Sequence, residues 1–247
     1  MTVERAAELL SAAHKGVAFT GAGVSAESGI PTFRGAGGLW TKYDPVKVSS
    51  IDSFMQDPTA YWMVSKERGG ITLAARPNPG HIALAALEAA GKLEAIVTQN
   101  TDGLHQASGS RRVVEIHGSS RTVQCLDCGI RESRAVVQAR LAVQMPPQCK
   151  ACGGTHLKPT VVLFGEPMPV AAMHEALALA QNADVMLVVG SSLVVRPAAD
   201  IPLAAVRAGA KLIIINAERT PLDSAAEVVL TGRAGEVLPQ ILNLVDA

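Results

Sequence analysis

Short apolar runs alternate with alanine-rich helical segments along this chain of 247 residues, and the alternation constrains the fold more than any other feature. The runs lack polar alternation, which is typical of strands covered on both faces. Buried strands separated by helices favour a parallel sheet with helices on each side, so the sequence predicts an α/β protein. The expected strands are 17–20, 95–98, 113–116, 185–189, 212–215 and 228–230, and the expected helices lie near 3–13, 80–90, 170–181, 197–208 and 235–245.

Two stretches interrupt this alternation. Residues 36–75 contain most of the aromatic side chains and no clear strand, and residues 119–157 contain all four cysteines. Both are interpreted as insertions that pack beside the sheet as a smaller module. The expected division is a sheet domain of residues 1–35, 76–118 and 158–247, a helical insertion of 36–75 and a metal-binding module of 119–157.

A glycine-rich segment, residues 21–26 (GAGVSA), directly follows the first predicted strand. Gly21 and Gly23 let the backbone turn tightly and approach a pyrophosphate, whose charge then faces N–H groups at the start of a helix. A tight turn that needs glycine only for its geometry explains the pattern equally well. A dehydrogenase usually places an acidic ribose partner about 20 residues later, whereas the candidate here, Glu218 in the segment 216–218 (NAE), lies far downstream. The pocket is therefore not expected to be that of an ordinary dehydrogenase.

The four cysteines form two C-x2-C pairs, Cys125 with Cys128 and Cys149 with Cys152, separated by twenty residues. Each pair places two thiolates on one turn, and two such turns complete a tetrahedral site for zinc. Four thiolates leave no open position on the metal, so the sequence predicts one structural zinc. Buried apolar cysteines and disulfides are the alternative interpretations, and the spacing disfavours both.

Composition restricts the partners of the chain. Lysine plus arginine and aspartate plus glutamate both number 22, so the net charge is zero and direct nucleic-acid binding is not expected. No apolar run approaches the ~20 residues that span a bilayer, and no secretory signal is visible at the N-terminus. The sequence predicts a cytoplasmic protein that does not bind membranes.

Several blocks of the sequence closely resemble the sirtuins, the NAD-dependent protein deacylases, and above all their compact archaeal and bacterial members. The resemblance covers essentially the whole chain. The blocks, in the order of the family, are 21–34 (GAGVSAESGIPTFR), 98–105 (TQNTDGLH), 115–118 (EIHG), 158–166 (KPTVVLFGE), 190–193 (GSSL) and 216–218 (NAE).

The resemblance implies a Rossmann-type domain with zinc-containing and helical insertions, and NAD bound between them. It also implies the reaction, in which acyl-lysine attacks the nicotinamide ribose and gives nicotinamide, free lysine and O-acyl-ADP-ribose. The expected partners are acyl-lysine proteins or peptides in an extended conformation. Two alternative functions stay open: a mono-ADP-ribosyltransferase, which transfers ADP-ribose to its acceptor, and a non-catalytic NAD-sensing module.

The resemblance also assigns roles to individual residues. His117 would be the general base, since its pKa suits removal of a ribose hydroxyl proton near pH 7. Asn100 would order the ribose and its water, and Phe33 would shield the reactive carbon from solvent. Position 101 is threonine where isoleucine is commonest in the family. The full set expected at NAD is Gly21, Ala22, Gly23, Ala26, Phe33, Arg34, Gln99, Asn100, Thr101, Asp102, His117, Gly190, Ser191, Ser192, Asn216, Ala217, Glu218 and Ala234.

The expected peptide contacts are Val162, Phe164 and Gly165, in a segment that would pair with an added strand. Family members that prefer succinyl-lysine carry a Tyr-x-x-Arg pair, and the corresponding positions here are Ser65 and Arg68. Half of that carboxylate clamp is missing, so acetyl-lysine or a longer neutral acyl-lysine is expected to be preferred. Arg68 is interpreted as a solvated residue on the surface of a helix.

Overall fold

The computed structural model describes residues 2–33 and 38–245. Its strands are β1 (Gly16–Thr20), β2 (Ala95–Thr98), β3 (Val113–Glu115), β4 (Gly118–Cys125), β5 (Arg131–Ser133), β6 (Leu157–Val161), β7 (Val185–Val189), β8 (Lys211–Asn216) and β9 (Val228–Thr231). Its α-helices are α1 (Val3–Ser11), α2 (Pro45–Ser49), α3 (Ile51–Gln56), α4 (Thr59–Ala74), α5 (Pro79–Ala89), α6 (Leu104–Ala107), α7 (Arg134–Arg140), α8 (Val170–Asn182), α9 (Asp200–Arg207) and α10 (Ala234–Leu244).

Six strands form one parallel sheet in the order β3-β2-β1-β7-β8-β9. Successive residues of β1 enter different cores, because side chains alternate across a strand: Ala18 packs with α1, α5 and α10, whereas Val17 and Phe19 pack with α8 and α9. All five residues of β1 are buried, as are those of β7. The predicted α/β fold with a doubly covered parallel sheet is confirmed.

The strand order fixes where a ligand can bind. From β1 the chain proceeds outward through β2 and β3, and it later returns to the other side of β1 through β7, β8 and β9. Ligands of such sheets bind outside the carboxyl ends of the strands at the point where this order reverses. That point is the crevice between the ends of β1 and β7.

A smaller antiparallel sheet of three strands, in the order β5-β4-β6, lies beside the large one. Its core contains Phe54 of α3 and Trp62 of α4 together with Val123, Cys125 and Leu157. The indole N–H of Trp62 donates a hydrogen bond to the carbonyl of Leu157 at 2.9 Å. Residues of both predicted insertions therefore share one core.

The predicted domain boundary between residues 157 and 158 falls inside β6. This strand pairs with β4 rather than with the parallel sheet, from Leu157 opposite Cys125 to Val161 opposite Gly118. The small sheet is thus continuous with the segment that follows Val161.

The element after β1 differs from a full α-helix. Residues Ala22–Ser28 form a 3₁₀ helix that ends at Gly29, whose φ of 82° lies in the left-handed region favoured by glycine. Asn78 ties this turn to α5: its side-chain amide donates to the carbonyl of Val24 at 2.8 Å, and its side-chain oxygen caps α5 by accepting from the N–H of Gly80 at 2.9 Å. Over the described ranges, the chain forms no helix with the length and apolar character needed to cross a membrane.

Candidate active site

Three glycines bring two loops into backbone contact at the crevice between β1 and β7. The N–H of Gly23 donates to the carbonyl of Gly190 at 2.8 Å, and that of Gly21 to the carbonyl of Val189 at 3.1 Å. A Cβ atom placed on Gly23 would lie 2.7 Å from the Cα of Gly190, which is too close for any side chain. Glycine is thus needed here because the two loops touch at the carboxyl end of the sheet, and the N–H groups of both Gly21 and Gly23 are used in that contact.

Ser25 organises the polar residues beside this turn. Its hydroxyl donates to Asp102 Oδ2 at 2.8 Å and accepts from Asn100 Nδ2 at 3.1 Å. Asn100 Nδ2 also donates to the carbonyl of Gly21 at 3.2 Å, and Asp102 Oδ1 accepts from the N–H of Leu104 at 2.9 Å. The predicted residues Asn100 and Asp102 are therefore fixed in orientation through a serine that the sequence left without a role.

Gln99 connects two other predicted residues. Its side-chain amide donates to Ser191 Oγ at 2.9 Å, and its main-chain carbonyl lies 3.0 Å from His117 Nδ1. A carbonyl oxygen only accepts, so Nδ1 carries the proton and the neutral ring presents a lone pair at Nε2. Burial lowers the pKa of His117, and the hydrogen bond to Gln99 offsets part of that shift. His117 is therefore neutral near pH 7 and can accept a proton at Nε2.

Two more histidines lie behind these residues, with ring centroids 5.0 Å apart. His81 Nε2 is 3.4 Å from Ser25 Oγ, and His105 Nε2 is 2.8 Å from Thr20 Oγ1. Burial lowers the pKa of His81 to about 4 and that of His105 to about 3. Both rings are therefore neutral supports for the polar residues and not proton carriers near pH 7.

The loop that carries Thr101 is held against β4. The carbonyl of Thr101 accepts from the N–H of Ser120 at 2.9 Å and from its hydroxyl at 2.7 Å. That carbonyl is consequently engaged within the protein. A main-chain contact between Thr101 and NAD would therefore be made by its N–H group.

Several other residues of the predicted NAD set follow the carboxyl ends of the next strands. Asn216 ends β8 and donates from Nδ2 to the carbonyl of Glu218 at 2.8 Å, which closes the turn containing Ala217. Ala234 is buried at the first position of α10. The structure thus brings these residues to the same edge of the sheet as Gly190, although Glu218 itself is exposed.

Aromatic rings connect the cofactor side of the crevice to the predicted peptide segment. The ring of Phe33 lies 5.3 Å from that of Trp40, which lies 6.2 Å from that of Phe164.

The Arg68 guanidinium carbon sits 4.4 Å from the Phe33 centroid, and its Nε is buried. Burial lowers the pKa of Arg68. The interpretation of Arg68 as a solvated surface residue is therefore wrong, because its guanidinium packs on an aromatic face. The predicted cofactor residue Arg34 lies outside the described residues.

The segment after β6 is partly paired already. Phe164 donates its N–H to the carbonyl of Ser49 at 2.9 Å and accepts from the N–H of Ile51 at 3.0 Å, while Val162 donates to the carbonyl of His117 at 2.9 Å. Among the described residues, none forms a hydrogen bond with the carbonyl of Val162 or with the main chain of Gly165. These groups remain available to an added strand.

The four cysteines converge as the sequence predicts. Their sulfur atoms lie within 4.8 Å of one another, with 3.7 Å between Cys125 and Cys152 and 3.7 Å between Cys128 and Cys149. A tetrahedral site with zinc–sulfur bonds of about 2.3 Å has sulfur–sulfur edges of about 3.8 Å, so the donor set fits zinc.

Ser25, His81, Ser120 and Trp40 are the residues of this site that sequence reasoning left without a role. Ser25 lies inside the glycine-rich segment 21–26, and Ser120 lies close to the segment 115–118. Their closeness to these blocks could have indicated a role at the site. Their partners are distant in sequence: Ser25 and Asp102 are separated by 77 positions. Only the folded chain identifies such contacts.

Together these features define a Rossmann-type protein with a dinucleotide crevice, a neutral histidine at that crevice and a separate four-cysteine metal site. A model of the Sir2 family matches residues 21–197, a range that includes the glycine-rich turn, both cysteine pairs and the loop after β7. The chain belongs to the Sir2 family, as the resemblance in its sequence indicated.

Relatives of similar length support this assignment. The chain is 50% identical to NAD-dependent protein deacylase 2 of Archaeoglobus fulgidus over 97% of its own length and 94% of that protein. It is 47% identical to the NAD-dependent protein deacetylase of Haloarcula marismortui, over 98% and 94% of the two chains. A solved structure of Sir2 with a p53 peptide and NAD⁺ superposes with a TM-score of 0.91 at 38% identity, over 98% of each chain. A structure of Sir2Af2 bound to a myristoylated histone peptide gives 0.85 at 42% identity, over 98% of this chain and 95% of that one.

Proposed function

We propose that this chain removes acyl groups from protein lysines in an NAD-dependent reaction that yields nicotinamide, free lysine and O-acyl-ADP-ribose. The contact between His117 Nδ1 and the carbonyl of Gln99 carries the proposal, because it leaves an unprotonated Nε2 beside the dinucleotide crevice. A protein that merely senses NAD needs no such base. The high identity to deacylases and deacetylases over nearly the whole chain supports the same function.

NAD, when bound, supplies an electrophilic ribose carbon once its bond to nicotinamide is weakened. The residues of this chain would bind and orient it. The turn 21–26 would receive the pyrophosphate, because Gly21 and Gly23 place no side chain in its way, and Asp102 would hold the nicotinamide carboxamide in the orientation fixed by Ser25. Asn100 would order the ribose, and Phe33 would exclude water from the reacting carbon.

His117 would remove a proton from a ribose hydroxyl at Nε2. The proton already on Nδ1 stays hydrogen-bonded to Gln99, so the imidazolium formed in this step keeps its partner. The lowered pKa of His117 keeps the ring ready to accept that proton near neutral pH. Five further predicted cofactor residues would line the adenosine and its ribose: Ser191, Ser192, Asn216, Glu218 and Ala234.

The acyl-lysine peptide would add as a strand beside Val162 and Gly165. The carbonyl of Val162 and the main chain of Gly165, which form no hydrogen bond among the described residues, suit that role, and the loop 192–196 would supply the facing edge. Phe164 is 43% exposed and would line the entrance for the lysine side chain. Because the contacts are mainly to backbone, the expected preference for flanking sequence is loose. A randomised acetyl-lysine peptide library tests this, and a strict requirement at several flanking positions would refute it.

Zinc bound by the four cysteines would be structural, since four thiolates saturate a tetrahedral ion. We keep residues 1–35, 76–118 and 158–247 as the dinucleotide-binding domain, with 36–75 and 119–157 as its helical and zinc insertions. The shared core around Phe54 and Trp62 supports treating the two insertions together. The cytoplasmic location and the absence of direct nucleic-acid binding stay predictions from composition.

Mass spectrometry of a panel of acyl-lysine peptides, incubated with and without NAD, tests the proposed function. We expect loss of the acyl group from the peptide in step with release of nicotinamide and O-acyl-ADP-ribose. Gain of ADP-ribose on a peptide that keeps its acetyl group would instead identify a mono-ADP-ribosyltransferase. Binding of NAD without its consumption would identify a sensing module.

A further inference from the structure

A buried lysine supports the segment that the proposed function assigns to the peptide. Lys158 is 7% exposed, and its ammonium donates to the carbonyl of Val161 at 2.6 Å and to Glu166 Oε2 at 2.9 Å. The carbonyl of Pro159 lies within reach at 3.3 Å. All three N–H donors of the ammonium therefore have acceptors within one short segment, at its start (Pro159 and Val161) and at its end (Glu166).

Glu166 closes the same segment from its other end. Its Oε2 accepts from the N–H of Leu163 at 2.7 Å as well as from Lys158, and its own N–H donates to the carbonyl of Leu163 at 3.0 Å. The turn so formed contains Gly165, whose φ of 89° lies in the left-handed region. The lysine and the glutamate together fix the path of the main chain from Val161 to Glu166.

Stability alone does not account for this ion pair. The side chains of Lys158 and Glu166 are only 8% and 22% exposed, and the cost of removing two charges from water offsets much of their attraction. Such pairs can instead select one conformation of the chain. Here the selected conformation directs the hydrogen bonds of Val161 and Leu163 inward, while the carbonyl of Val162 and the main chain of Gly165 stay unpaired among the described residues.

We infer that Lys158 and Glu166 are positioning residues for the peptide substrate: their contact holds residues 161–166 in the conformation that an added strand can pair with. The inference rests on the proposed function. Among the described residues, no side-chain hydrogen bond or ion pair joins Lys158 or Glu166 to a predicted NAD contact, so their effect should be confined to substrates with a peptide backbone on both sides of the acyl-lysine.

Steady-state kinetics with two substrates tests this inference. One is an extended acetyl-lysine peptide, and the other is acetyl-lysine with blocked ends and no flanking residues. For Lys158→Met we expect the KM of the extended peptide to rise about tenfold, the factor that corresponds to one lost charge-assisted hydrogen bond. The KM of NAD, the kcat, and the kinetics of the minimal substrate should stay at the parent values. Lys158→Arg, which keeps the charge and the donors, should recover most of the lost affinity.

Lys211→Met is the matched control, because it removes an exposed lysine–glutamate pair with Glu227 at the amino end of β8. Glu166→Gln, which retains an acceptor for Leu163 but loses the charge, gives a second measurement if Lys158→Met fails to fold. Equal losses on both substrates, or an unchanged KM for the extended peptide, would overturn the inference. Inactivity of the parent protein on every acyl-lysine substrate would instead overturn the proposed function on which it depends.

Discussion

The Nδ1 atom of His117 lies 3.0 Å from the main-chain carbonyl oxygen of Gln99, and this contact decides which nitrogen of the ring can accept a proton. The side chain of the same glutamine extends to Ser191 on the loop after β7. One residue therefore orients the candidate base and links it to the opposite wall of the crevice. Substitutions of His117 should in consequence affect the reaction and leave the walls in place.

We expect His117→Ala and His117→Tyr to reduce deacylation by about 10²–10⁴-fold, the range typical of a lost general base. The fold should survive, since the ring is only half-buried and the hydrogen bond from Val162 is accepted by the main chain of His117, which the substitutions keep. Activity at pH 8 and the melting temperature measure the two effects separately. His174→Ala, at an exposed position on α8, serves as the control. A loss smaller than about tenfold would contradict the assigned role.

The buried pair His81 and His105 should make stability depend on pH. Their pKa values in the folded protein, about 4 and about 3, lie below the ordinary value of 6.5, so the unfolded chain binds protons that the folded chain does not. The free energy of unfolding should therefore fall as the pH decreases from 6.5 toward 4, by up to about 1.4 kcal/mol per pH unit for each histidine. Urea denaturation across that interval measures the slope.

Single variants separate this effect from the titration of carboxylates. His105→Gln retains a hydrogen-bonding side chain next to Thr20 but cannot titrate, so the slope below pH 6.5 should become shallower. Combining it with His81→Gln should reduce the slope further. Identical slopes in the parent and both variants would show that these rings do not carry the pH dependence.

The sequence predicts the structure best where a pattern of residues has a single structural use. Val185–Val189 is apolar at every position, so a buried strand was predictable, and the two C-x2-C pairs left few alternatives to a metal site. The interpretation of Arg68 was wrong because a helical arginine is usually solvated, and only tertiary packing brings Phe33 beneath its guanidinium. The hydrogen bond from Ser25 to Asp102 could not be predicted either, because the sequence around a buried serine does not identify its partner.

Ser25→Ala tests whether that support matters for the cofactor. The change removes the donor to Asp102 Oδ2 and one acceptor of Asn100 Nδ2. We expect kcat/KM for NAD to fall about tenfold, which corresponds to one lost hydrogen bond to a charged group. Ser224→Ala, at an exposed position, should leave NAD kinetics unchanged. A Ser25→Ala protein with lower stability but normal NAD kinetics would show that the contact is only structural.

Zinc should hold the smaller sheet together and take no part in bond making. Structural zinc contributes roughly 10–16 kcal/mol in small zinc-binding peptides, so its removal should unfold at least residues 119–157. Metal analysis should give one zinc per chain. The fluorescence of Trp62, followed in a Trp40→Phe background, should change on chelation because its indole bonds to Leu157 in the same core. Zinc-saturated chelator is the control, and a metal-free chain with full activity and unchanged melting would end this assignment.

Ser65 and Arg68 bear on which acyl group is removed. Ser65 is engaged by the zinc module: its hydroxyl and its carbonyl accept from the guanidinium of Arg134 at 2.9 and 2.7 Å. Arg68 packs on Phe33 instead of facing solvent. A succinyl carboxylate would thus meet Ser65 at the position of the clamp's tyrosine, and one guanidinium that is already in contact with an aromatic ring.

We expect kcat/KM for acetyl-lysine to exceed that for succinyl-lysine by about tenfold or more, because a carboxylate without full pairing costs over 1.4 kcal/mol to desolvate. Longer neutral acyl chains avoid this cost. Matched acetyl, myristoyl and succinyl peptides provide the comparison. Arg68→Met should remove residual desuccinylation more than deacetylation. A preference of the parent protein for succinyl-lysine would show that Arg68 alone is a sufficient carboxylate partner.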